Sequence, residues 1–167
     1  MIVGKSNPKD DVYDILYYVA RDIKSITIPP FIKKINDYAF ENCKQLQTVS
    51  FSEDCKVEII GKYAFSDTNI KCISIPKSVK IIDTGAFSKC RNLERIDFSE
   101  NAALSTIGAK AFKNLSIKTI CIPKHVKKIC KKAFIYCYAL NEITFEKDSE
   151  LETICEGSFY DSYIKSI

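Results

Sequence analysis

Chemistry in this chain would have to come from one histidine, eight cysteines or a set of charged turns. His125 lies in the phrase IPKHVKK, at a slot that holds Phe31 or Ser78 in the matching phrases. A general base needs a nucleophile or an orienting carboxylate held beside it, and no residue at a matching slot supplies one. His125 therefore reads as a solvent-exposed loop residue. No glycine-rich phosphate loop, GxGxxG turn or GxSxG elbow is present. The cysteines form no CxxC pair, and one histidine is too few for Cys/His zinc spacing. No catalytic residue, metal or cofactor is expected, and the chain is not read as an enzyme.

The positions of the cysteines say more than their number. Cys43, Cys90 and Cys137 are 47 residues apart. In stacked repeats such residues lie about 10 Å from one another, beyond the roughly 7 Å that a disulfide allows between Cα atoms. They read as small buried hydrophobes. Cys130 and Cys155 share one slot in adjacent repeats and are the pair that could meet, but reduced thiols are expected at all eight positions.

Charge alternates along the chain. Basic turns hold Lys33 and Lys34, Lys77 and Lys80, then Lys124, Lys127, Lys128, Lys131 and Lys132. Acidic turns between them hold Glu53 and Asp54, Glu100, then Glu146, Asp148, Glu150 and Glu152. One reading is neighbours of opposite sign along a stack, each exposed pair worth at most about 1 kcal/mol. The other is a polyanion patch at Lys124, Lys127, Lys128, Lys131 and Lys132, for a sulfated glycan, acidic lipid or acidic protein tail. The adjoining acidic turns would partly cancel that field. Nucleic acid is not expected: no aromatics are interleaved with these lysines. A net charge of +4 and a pI near 8.5 also fall short of a dedicated binder.

These residues are positioned by a repeat. Phe40, Phe65, Phe87, Phe112, Phe134 and Phe159 recur at spacings of 25, 22, 25, 22 and 25 residues. A fixed period in the low twenties marks a leucine-rich-repeat solenoid. Residues 23–163 divide into six repeats of alternating 23 and 24 residues, and residues 164–167 begin a truncated seventh. Each repeat opens with a period-two run such as Ile26/Ile28 or Val49/Phe51, predicting half-buried strands over 25–28, 48–51, 72–75, 95–98, 119–122 and 142–145. Stacked, these make one continuous parallel β-sheet on one face. Pro29, Pro76 and Pro123 end the odd strands, because proline has no N–H for the ladder. A second apolar pair, from Ile32/Ile35 to Leu151/Ile154, predicts a short second strand. The Ala-Phe unit is expected on a short helical turn, with the phenylalanines stacked in the core.

Residues 1–22 form a lead-in or cap. Val12, Ile15, Leu16 and Val19 have helical spacing, yet Ile15 to Val19 is also a compact β-branched and aromatic run. An extended segment is favoured, covering the open edge of the first repeat. The opening residues lack the pattern of a signal peptide, and no apolar run is long enough for a transmembrane helix. Either the chain is cytosolic or an export signal has been removed.

The phrases IPPFIKKINDYAFENC, IPKSVKIIDTGAFSKC and IPKHVKKICKKAFIYC resemble the BspA-type leucine-rich repeat family, over residues 23–167. The even repeats depart from its pattern: they lack the proline, and Thr68, Leu115 or Ser162 stands in the cysteine slot. The resemblance implies a surface antigen or adhesin that binds proteins, with a cell-surface location. Missing export signals and free cysteines point instead to an intracellular structural or scaffold protein, of cytoskeleton-associated type, as the alternative. The partner face is expected on the outward residues of the sheet around Arg95, Asp97, Thr119, Glu142 and Thr144. The unfinished seventh repeat is expected to leave an apolar C-terminal edge, either because the chain is a fragment of a longer array or because a neighbour covers it by end-to-end contact in an assembly.

Overall fold

The computed structural model describes residues 1–9 and 12–165. Its strands are β1 (Ile2–Gly4), β2 (Ile15–Tyr18), β3 (Ser25–Ile28), β4 (Lys34–Ile35), β5 (Thr48–Phe51), β6 (Ile59–Ile60) and β7 (Cys72–Ile75). They continue with β8 (Ile81–Ile82), β9 (Arg95–Phe98), β10 (Thr106–Ile107), β11 (Thr119–Ile122), β12 (Lys128–Ile129), β13 (Glu142–Phe145) and β14 (Thr153–Ile154). The chain coils through six turns with three walls. Long strands make the first wall, two-residue strands the second and Ala-Phe turns the third.

The phenylalanine column forms as its spacing predicts. Adjacent rings stack with centroids 4.6, 5.2, 5.8, 5.1 and 5.3 Å apart. Phe40 to Phe134 are fully buried, and only Phe159 is partly open. Burying each ring contributes roughly 1.5–3 kcal/mol.

The first wall is parallel but not continuous. β3 pairs with β5, β7 with β9 and β11 with β13, and no ladder joins one pair to the next. The prolines supply a physical reason. Within a pair, the N–H of Ser52, Ser99 and Glu146 donates to the carbonyl of Ile28, Ile75 and Ile122 at 3.1, 3.1 and 3.0 Å. The residues in that slot of the odd repeats are Pro29, Pro76 and Pro123, which have no hydrogen to give. The continuous sheet is the second wall, in the order β1-β2-β4-β6-β8-β10-β12-β14.

The third wall is not helical, and no helix occurs among the described residues. The residues two before and two after every phenylalanine of the stacked column have positive φ, from Tyr38 (62°) and Asn42 (59°) to Gly157 (64°) and Asp161 (55°). Left-handed residues at that spacing cannot lie in a right-handed helix. Instead they turn three N–H groups per repeat along the coil axis. Tyr38, Phe40 and Asn42 donate to Lys62, Ala64 and Ser66 carbonyls at 2.8, 2.7 and 2.9 Å. The same triplet recurs through Lys132, Phe134 and Tyr136, which donate to Glu156, Ser158 and Tyr160 at 3.2, 2.7 and 3.0 Å.

The lead-in is extended. β2 adds in parallel to β4, and β1 folds back antiparallel on β2. Asp14, almost fully buried, holds the cap down. Its carboxylate accepts from the Ser6 N–H (2.8 Å) and hydroxyl (2.7 Å) and faces the Lys33 ammonium at 3.3 Å. The other end is open. Ile35, Ile60, Ile82, Ile107 and Ile129 are fully buried, whereas Ile154, in the same slot, is 49% exposed. Lys165 N–H still donates to Asn141 at 2.8 Å, repeating the start of earlier turns. The remaining seventh-repeat residues, Ser166 and Ile167, lie outside the described residues.

Candidate functional site

The outward residues of the first wall stand in two rows set by strand register. One row is Ser25, Thr48, Cys72, Arg95, Thr119 and Glu142. The other is Thr27, Ser50, Ser74, Asp97, Cys121 and Thr144. Asp97 is half-buried, and the rest of both rows is exposed. Arg95 Nε and Asp97 Oδ2 meet at 2.9 Å along one face of β9. Glu142 stands opposite Thr119, and Thr144 opposite Cys121.

Where no ladder joins the pairs, the wall opens into clefts. The β9/β11 cleft, about 760 Å³, is lined by Lys71, Cys72, Glu94, Arg95, Ser116, Lys118, Thr119 and Ala139. The expected site residues Arg95 and Thr119 thus share a cleft, while Asp97, Glu142 and Thr144 do not line it. The β5/β7 cleft, about 630 Å³, has a hydroxyl-rich lining that includes Thr48, Ser50 and Ser74 over Val49, Phe51 and Ile73. Sequence reasoning missed Lys71, Glu94 and Lys118. The signal was available: they occupy the slot just before each strand, as Lys24 does.

The five clustered lysines of the fifth repeat, Lys124 to Lys132, are divided by the structure. Lys127 pairs with Glu152 at 3.9 Å and Lys131 with Glu156 at 2.8 Å. The Lys131 hydrogen bond holds the Glu156 carboxyl below its ordinary range. His125 Nδ1 lies 2.9 Å from Glu150 Oε1. Lys124 uses its backbone N–H, which donates to Glu146 at 2.9 Å. Lys128 is exposed on β12. The Lys132 stem lies over Gly157, whose Cβ, if present, would sit 3.4 Å from it.

Two of the three buried thiols act as hydrogen-bond donors, while Cys43 Sγ accepts from the Arg21 guanidinium at 3.6 Å. Cys90 Sγ donates to Phe65 O at 2.9 Å and Cys137 Sγ to Phe112 O at 3.0 Å. Burial pushes both thiols up to about 11, so neither is a thiolate at neutral pH. Burial, then the neighbouring Cys155, also raises Cys130. All eight cysteines are free. Among the described residues no three His, Cys, Asp or Glu side chains gather as metal ligands, and no helix is long and apolar enough to cross a membrane.

A family profile described as BspA type Leucine rich repeat region matches the chain in six copies, over residues 11–141 and 58–167. Among solved structures, the pneumococcal vaccine antigen PcpA is 33% identical with a TM-score of 0.73, over 83% of this chain and 33% of its own. A leucine-rich cell surface protein of Faecalibacterium prausnitzii is 27% identical with a TM-score of 0.56, over 77% of this chain and 40% of its own. A leucine-rich repeat protein of Bacteroides ovatus shares the fold at 23% identity and a TM-score of 0.64, over 88% of this chain and 43% of its own. The chain thus spans about a third of PcpA and two fifths of the F. prausnitzii protein. A search of curated proteins finds no match.

Proposed function

Since the chain belongs to the BspA type leucine-rich repeat family, we propose that it is a non-enzymatic protein-binding module of surface-antigen or adhesin type. The observation that carries the reading is the first wall, an extended, solvent-facing array of Ser, Thr, Arg and Glu side chains interrupted by two clefts. Solenoids present partners with such extended surfaces. The partner footprint centres on the β9/β11 cleft at Arg95 and Thr119 and runs outward over Asp97, Glu142 and Thr144. A vaccine antigen and a cell surface protein among the similar structures support the surface location.

The test places a photo-crosslinking side chain at Arg95, at Thr119 or, as a control on the third wall, at Asn42. Capture of one protein from the first two positions and not from Asn42 supports the footprint. Equal capture from Asn42 removes it. Charge reversal at Arg95 and Glu142 together should then abolish binding of the captured protein and leave the melting curve unchanged.

A second reading, an intracellular scaffold, rests on the thiols. Cys90 and Cys137 are used as S–H donors in the core, a role suited to a reducing compartment. Protease shaving of intact cells separates the readings. Loss of the protein supports the surface module, and full protection supports the scaffold.

A further inference from the structure

The charges of the third wall are sorted by repeat. In the turns around Phe87, Phe112 and Phe134 stand Lys89, Arg91, Lys110, Lys113, Lys131 and Lys132, with Asp83 the one acid among residues 83–91, 108–116 and 130–138. Backbone bonds make the group contiguous. Arg91 N–H donates to Lys89 O (2.8 Å), Lys89 to Lys113 O (2.8 Å), Lys113 to Lys110 O (3.1 Å) and Lys110 to Lys131 O (3.2 Å). Among the described residues, Lys131 is the one of the six in a salt bridge, with Glu156, whose carboxyl Lys132 also draws down. The acids around the strip are engaged elsewhere or lie at its ends. Asp67, next to Lys89, pairs with Lys44 at 2.5 Å, and Asp83 accepts from the Thr84 N–H. Asp161 sits beyond Tyr136 in the sixth repeat.

We propose that this strip, on a different wall from the partner footprint, binds a linear sulfated or carboxylated polysaccharide lying along the coil axis. Successive turns of the coil are about 4.8 Å apart, so three repeats bring these cations together as a band on a rigid hydrogen-bonded wall, with Lys110 and Lys132 in the same slot two residues before Phe112 and Phe134. A polymer with anions on successive sugar rings meets such a band in extended form. A membrane fits less well, because Thr84, Ser88, Ala109 and Asn114 stand among the cations and the exposed ring beside them, Tyr138, ends in a hydroxyl, so no Trp, Phe or Leu is there to enter lipid. Single-stranded nucleic acid fits less well, because it needs a free stacking face. The rings beside the strip are already engaged: Tyr136 by the Lys113 ammonium at 5.6 Å and by Tyr138 at 6.0 Å, and Tyr63, which lies over Gly85, by Tyr38 at 5.5 Å.

The probe is a heparin oligosaccharide, titrated calorimetrically at low salt and again at high salt. Binding should weaken with salt, as screening of exposed charge requires. Lys110→Glu with Lys113→Glu should reduce affinity roughly tenfold or more, because like charge then faces the polymer. Lys124→Glu with Lys128→Glu, on another wall, should change it less than about twofold at the same salt. If the strip variant melts at a lower temperature than the parent, Lys110→Gln with Lys113→Gln carries the same comparison. The proposal is overturned if heparin does not bind, or if both pairs of substitutions weaken it equally. Tighter binding of phosphatidylserine vesicles or of a single-stranded oligonucleotide, lost in the same variant, overturns the choice of polysaccharide.

Discussion

Phe87 sits in the middle of the ring stack with a ring on either side, at 5.2 and 5.8 Å. Phe87→Ala should cost about 3–5 kcal/mol in a denaturant melt, since the neighbouring turns cannot close over the void. A loss under about 1 kcal/mol would show that the stack does not carry the core. Asp14 makes a pH-dependent contribution. The Ser6 hydrogen bond and then Lys33 lower its pKa against the desolvation that raises it. A depressed carboxylate stabilises the fold above its unfolded pKa, near 3.9, and that stability is lost as pH falls through the folded value. The melting temperatures of the parent and Asp14→Ala should therefore differ at neutral pH and converge below about pH 4. The phenylalanine and cysteine slots were legible because burial repeats with the period. The left-handed residues were not. Asn42 and Gly85 suit positive φ, but Tyr38, Lys89, Lys110 and Lys132 carry no local preference for it. The neighbouring repeat's carbonyls impose that conformation, and the helical expectation failed there.

At the scale of the element, the second wall holds the coil together and glycine lets its turns close. A Cβ on Gly108 would lie 2.5 Å from the Asp83 carbonyl carbon and 2.7 Å from Thr84 N, both backbone. Gly108→Ala should destabilise by about 1–3 kcal/mol, because backbone must move to admit the methyl. It should also speed amide exchange of Gly85 and Phe87, whose N–H groups bond to the turn that follows Gly108. An unchanged melt and unchanged exchange would mean the third wall is more compliant than its ladder implies. The six first-wall strands were legible to the residue from their period-two pattern. Their grouping into pairs was implicit in the prolines, but the loss of one donor per junction had to be followed across the stack. β1 was not foreseen, because three residues are too short a run to show a period.

At the scale of the whole fold, the first and last turns differ in apolar cover. The β1–β2 hairpin covers the first turn, while Ile154 and parts of Leu151 and Phe159 stand uncovered on the last. The N–H groups of Gly157, Phe159 and Asp161 extend the third-wall row and meet no backbone carbonyl among the described residues. An open strand edge beside apolar surface recruits another chain. Sedimentation of this chain should show concentration-dependent association that Ile154→Lys abolishes without lowering the melting temperature. A strictly monomeric parent at all concentrations would rule that edge out as a contact.

Repeats within an odd–even pair are laced together on all three walls, but successive pairs on only two, since β5 does not ladder with β7 nor β9 with β11. Under tension between its ends, the coil should therefore yield at those two seams before it yields within a pair. A pair detached at a seam, with fewer than the three repeats a solenoid needs for stability, would then unwind and release its 47 residues, roughly 160 Å of extended chain. Single-molecule pulling would show this as evenly spaced steps, and one step for the entire coil would contradict it. A protein built this way lengthens in instalments under load, dissipating a tug while the remaining pairs stay wound.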